Sequence, residues 1–112
     1  MPAIAFDWKE TLRLSNNKED LAKTLVKILA KDLPVLRHDL NQALKKEDID
    51  TIYHLAHKFY GACCYCSVPK LKPLLQQLEA NSKTQAAHEQ KALIKAIDLE
   101  IQKILTSLKQ YL

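Results

Sequence analysis

The chain has 112 residues, 47% hydrophobic and 27% charged, with a formal net charge of +4, one glycine and four prolines. That balance belongs to one globular domain over 1–112, long enough to bury a core, and so little glycine and proline excludes a turn-rich all-β fold. Scattered lysines with only Arg13 and Arg37 as arginines argue against a nucleic-acid interface. No apolar run reaches the ~20 residues that cross a bilayer, and Met1-Pro2-Ala3 opens no signal peptide.

In chain order, Phe6-Asp7-Trp8 opens a short helical segment to about Leu14 that Asp7 can cap, with Phe6, Trp8 and Leu12 as apolar contacts, and Ser15-Asn16-Asn17 breaks it. Asn17 followed by Asp20 predicts a shortened capping box at the head of a long helix. Leu21, Leu25, Ile28, Leu29, Leu36, Leu40 and Leu44 then recur at helical spacing towards Lys46. Pro34 falls inside this run, and the apolar register resumes beyond it. That predicts a kink rather than an end, with a split at Leu33 as the alternative.

Glu47-Asp48-Ile49-Asp50 marks the next turn and supplies a cap and acidic first-turn residues to the third helix. Ser67 as N-cap with Pro69 in the first turn predicts the start of a fourth. Leu71, Leu74, Leu75 and Leu78 form its buried edge, and Pro73 predicts a local irregularity. After residues 81–84 a last helix carries Leu93, Ile94, Ile97, Ile101, Ile104, Leu105, Leu108 and Leu112 on one side. The expected fold is all-α: an antiparallel up-down four-helix bundle with the short N-terminal helix as a lid. The isolated domain is expected to be a monomer without direct membrane contact.

The third helix holds the unusual residues. Stepping about 100° per residue, Ile52, Leu55, Ala56, Phe59, Ala62, Cys63 and Cys66 gather into a core stripe. His57 and Gly61, four apart, fall on the opposite solvated face, flanked by Tyr53, His54, Tyr60 and Cys64. Gly61 is the only glycine, and a mid-helix glycine costs about 1 kcal/mol relative to alanine. Something must offset that. The pairing predicts an exposed imidazole with bare backbone beside it, where another protein approaches closely.

Cys63-Cys64 and Cys66 do not form a secreted disulfide framework, which makes reducing cytoplasm the expected setting. They also do not converge with His54 on a tetrahedral zinc, because one helix points them in different directions. No metal site is expected.

A helical histidine followed four residues later by glycine resembles the core motif of the histidine-containing phosphotransfer (HPt) domain. His57-Lys58-Phe59-Tyr60-Gly61, then Cys63, Tyr65 and Val68-Pro69-Lys70-Leu71-Lys72, is similar to the C-terminal HPt module of BarA-type hybrid sensor kinases. Asp7-Trp8 and Asn17-Lys18-Glu19-Asp20-Leu21-Ala22 fit the same pattern. Tyr60 stands where many members carry lysine.

The resemblance implies that His57 accepts phosphate from the aspartate of a hybrid kinase's receiver domain and passes it to the receiver domain of a response regulator. Lys58 and Glu79 are then candidate helpers, Glu79 by accepting from the imidazole N–H. Tyr53, His54, Tyr60, Gly61, Cys64 and Lys70 are candidate partner contacts. It also implies no cofactor of the domain's own, Mg²⁺ being supplied by the receiver. One glycine cannot build a nucleotide loop, so no ATP-dependent kinase activity is expected of the chain itself. The alternative is a helical interaction module that docks partners through the same face without being phosphorylated.

Overall fold

Five α-helices form over the described residues, 4–112, of the computed structural model, with two short 3-10 stretches and no strand among them. The absence of a signal peptide, read from Met1-Pro2-Ala3, concerns residues outside that range. Helix α1 spans Trp8–Leu14, and its N-cap Asp7 accepts from the Glu10 amide at 3.0 Å. Helix α2, Glu19–Lys45, runs through Pro34 as one helix, so the split at Leu33 does not occur. Its 27 residues correspond to about 40 Å and set the 41 Å long dimension of the molecule.

Helix α3 spans Ile49–Ala62, and the Asp48 carboxylate caps it, accepting from the Thr51 amide at 3.2 Å and the Thr51 hydroxyl at 2.6 Å. Those bonds, the hydroxyl's first, hold the Asp48 carboxyl below its ordinary pKa. Helix α4 is Leu71–Asn81 and α5 is Lys91–Leu108, with 3-10 turns at Ala87–Gln90 and Lys109–Tyr111. Each of α2 to α5 packs on the next, and α5 closes back on α2. The result is the expected up-down bundle.

Its centre is built from fully buried Leu33, Leu36, Leu40, Ile52, Leu71, Leu75, Leu78, Ile94, Ile97, Ile101 and Ile104. Each such side chain contributes about 1.5–3 kcal/mol by leaving water. The lid is fixed by its own chemistry. Phe6 and Trp8 pack on Tyr111, the latter pair stacked at 4.8 Å. The Asp7 amide donates to the Ser67 carbonyl, and the Ser67 amide donates to the Thr11 hydroxyl, both at 2.9 Å.

That joint corrects the start of the fourth helix. Ser67 is held by the lid rather than serving as an N-cap; α4 begins at Leu71, with Lys70 at the N-cap and no side-chain bond there. Pro73 therefore sits in the first turn, whose amides have no intrahelical acceptor, and no irregularity is required. The Asn17 capping box does not form either. Asn16 and Asn17 adopt left-handed φ of 55° and 61°, and the Asn17 amide closes α1 on the Leu12 carbonyl at 2.9 Å. Asparagine tolerates that conformation, and α2 starts without a side-chain cap.

The buried face of α2 is also displaced from the leucine pattern. Ala22, Val26, Leu29, Leu33, Leu36, Leu40 and Ala43 face the core, while Leu21, Ile28 and Val35 stay about half exposed. Ala62, the last residue of α3 and at the edge of the expected stripe, is exposed instead of buried, while Cys63 and Cys66 enter the core from the turn that follows. Leu112 lies beyond the last turn of α5 and is exposed.

Candidate functional site

The outward face of α3 and the adjoining edge of α4 form the site. Periodicity that buries Ile52, Ala56, Phe59 and Cys63 turns His57 outward, and its side chain is 70% exposed. Antiparallel packing of α4 on α3 brings Glu79 opposite it. His57 Nδ1 lies 2.6 Å from Glu79 Oε1, and the Glu79 side chain is only 24% exposed. With the carboxylate ionised, Nδ1–H is the donor, which fixes the tautomer and leaves Nε2 as the free nitrogen.

One turn earlier, the Tyr53 ring lies nearly parallel to the imidazole, with centroids 6.3 Å apart and planes at 11°. His54 meets Tyr53 edge-on at 5.4 Å. Lys83, just past the end of α4, places Nζ 5.9 Å from the Tyr53 ring centroid. On the other side of His57, Lys72 of α4 places Nζ 5.5 Å from the Tyr60 ring. From the sequence Lys83 has no assigned role in the site, and Lys72, like Lys70, is expected to be partner-facing charge rather than catalytic. Their signal was the period of α4: counted from Glu79, positions seven before and four after share its face.

The other candidates divide. Gly61 is helical and exposed, and a Cβ built on it meets nothing within 4 Å. Nothing inside the molecule therefore requires glycine there. Lys58 is exposed with Nζ 5.6 Å from the Phe59 ring, and no bond joins it to His57. Cys64 is exposed, its thiol 3.8 Å from the Tyr60 carbonyl. Lys70 has an internal partner, Nζ standing 3.8 Å from the carboxylate of Glu100, which is buried on α5. Sequence reasoning missed Glu100 because its charge sits beside the α5 core stripe.

Burial pushes the Cys63 thiol up to about 12 and the Cys66 thiol up to about 11. Both are poor thiolate sources. Among the described residues no group of three or more His, Cys, Asp or Glu side chains is gathered as a metal ion needs. Below Gly61 an apolar groove opens between α2 and the end of α3, lined by Leu25, Ile28, Phe59, Ala62 and Tyr65. Among the described residues no helix is long and apolar enough to cross a membrane.

A bundle that presents one carboxylate-held histidine a turn from a bare glycine is the architecture of a phosphotransfer domain. The sequence model of the Hpt domain matches residues 24–111, and the chain belongs to that family. Among curated proteins it is similar to the signal transduction histidine-protein kinase BarA of Escherichia coli K12, 35% identical over 78 residues. That match covers 70% of this chain and 8% of BarA. The sensor protein GacS of Pseudomonas syringae is 32% identical over 90 residues, 80% of this chain and 10% of GacS. The chain thus spans a tenth or less of these relatives.

Among solved structures, the HPT domain of a hybrid histidine kinase from Shewanella superposes with a TM-score of 0.89 at 30% identity, covering 95% of this chain and 92% of that one. The phosphotransfer protein HptB of Pseudomonas aeruginosa gives 0.83 at 22% identity, covering 97% and 95%. The second likeness speaks for the fold alone.

Proposed function

We propose that the chain is a histidine phosphotransfer intermediate in a phosphorelay, with His57 Nε2 as the atom that carries the phosphoryl group. The Nε2 lone pair attacks the phosphorus of a receiver's aspartyl phosphate. The P–N bond forms as the P–O bond to the aspartyl carboxylate breaks, and that carboxylate leaves with the electron pair. The ring acquires positive charge as it does so, and the Glu79 carboxylate at Nδ1 offsets it without a proton leaving the pair. Because phosphohistidine and aspartyl phosphate are both high in energy, the same geometry serves transfer out to a response regulator. The receiver would supply the acidic pocket, its aspartate and Mg²⁺.

Docking follows from the same face. Gly61 leaves room for the receiver's loops beside the imidazole, and the groove of Leu25, Ile28 and Tyr65 offers apolar contact next to it. The relatives support a place within a hybrid sensor kinase, where a single relay module would correspond to this chain.

The observation that carries the proposal is the 2.6 Å His57–Glu79 contact on an open face. Incubation with a phosphorylated receiver should give acid-labile, base-stable label on the wild-type chain. A chain that binds the receiver and takes up no label is instead a docking module, and the proposal fails.

A further inference from the structure

A single hydrogen bond at Nδ1 fixes where one ring atom sits, but the ring still rocks about that contact. In-line attack needs the Nε2 lone pair aimed at phosphorus, so a second restraint on the ring plane matters to the rate. Helical side chains lean back towards the N-terminus, over the residue four before. His57 therefore leans over Tyr53, and the two rings lie 11° from parallel at 6.3 Å, within the range where aromatic pairs attract. Tyr53 is itself held: it is half-buried, and the Lys83 ammonium lies 5.9 Å from its ring. A cation in that position interacts favourably with the ring.

Resting on the phosphotransfer reading above, we propose that Tyr53 is a positioning residue for the reaction. Its ring sets the plane of the His57 imidazole, and Lys83 steadies Tyr53 in turn. Glu79 and Tyr53 then restrain the nucleophile from two directions, one from α4 and one from α3 itself. The tyrosine hydroxyl is not required by this arrangement; the aromatic face is.

The restraint acts on the ring rather than on the partner, so it must show with a donor too small to dock. Phosphoramidate is such a donor: the His57 nitrogen attacks its phosphorus, the P–N bond to the leaving nitrogen breaks, and ammonia departs. In the full chain, Tyr53→Leu should slow phosphorylation about tenfold with both phosphoramidate and a phosphorylated receiver. Tyr53→Phe should recover most of the rate, and thermal unfolding of both variants should track wild type. Lys83→Gln should slow both donors about two- to fivefold, the size of one lost cation–ring contact, with Lys83→Arg restoring it.

Loss with the receiver alone makes Tyr53 a docking contact and overturns the proposal, as does no loss with either donor. If Tyr53→Leu does not fold, the Lys83 pair decides: unchanged phosphoramidate rates for Lys83→Gln overturn it. Wild type that stays unlabelled by both donors overturns the phosphotransfer reading itself, and this inference with it.

Discussion

The two faces of α3 obey different rules. On the inner face Ile52, Ala56, Phe59 and Cys63 are buried, and each position is explained by what it packs against. On the outer face His57 and Gly61 are exposed, and nothing in the molecule needs the glycine. The inner face can be read as stability. The outer face departs from the best helix-forming choice with no internal compensation, and such departures mark function.

Substitutions separate the faces in order of expected effect. His57→Gln should abolish phosphate uptake while leaving thermal unfolding unchanged, because the side chain is solvated; labelling from a phosphorylated receiver measures the first and calorimetry the second. Full labelling of that variant breaks the comparison outright. On the inner face, Phe59→Ala should cost about 3–5 kcal/mol in urea unfolding. A cost below about 1 kcal/mol, under the range for core truncation, would mean the stripe is misassigned.

Gly61 sharpens the contrast because the two readings oppose each other at one position. Gly61→Ala should gain up to about 1 kcal/mol of stability through helix propensity. Gly61→Gln should fold at least as well as wild type yet slow transfer from a receiver at least about tenfold, equivalent to ~1.4 kcal/mol in the transition state. Unimpaired transfer with glutamine at 61 would move docking to another face.

The thiols test the inner face by pH rather than by substitution. Cys63 and Cys66 have folded-state pKa values raised from 9.0 to about 12 and about 11. A raised folded pKa gives a contribution fully present below pH 9.0 and lost as the pH climbs through the folded values. The urea midpoint should therefore drop as the pH rises from 9.0 towards about 12. Exposed Cys64 alone should react with iodoacetamide in the native chain near neutral pH, against all three thiols in denaturant.

The helices were legible because apolar residues repeat at helical spacing over long runs, and α2 continued through Pro34 as one helix despite the proline. What the sequence concealed were competing demands on the same residue. Ser67 carries the mark of an N-cap, but its backbone is engaged by Asp7 and Thr11, some 60 residues away, and no local pattern announces that. Asn17 likewise serves a left-handed turn before it can serve a cap. At the site, His57, Gly61 and Glu79 were accessible from spacing and family likeness. Tyr53 as a ring beside the imidazole, with Lys83 against it, required the actual packing of α4 on α3.

The lid joint bears on where this domain begins. The family match starts at residue 24, inside α2, and so leaves out all of α1. Yet residues 6–11 supply the ring contacts on Tyr111 and both hydrogen bonds to Ser67, in the very connection that leads from the histidine helix into the helix of Glu79. A chain cut at the family boundary would keep the histidine, the glycine and the carboxylate. It would also strip the cover from one end of the core and release the connection that sets α4 against α3. Removing residues 6–11 is therefore expected to loosen the joint between α3 and α4 and lower the stability of the bundle.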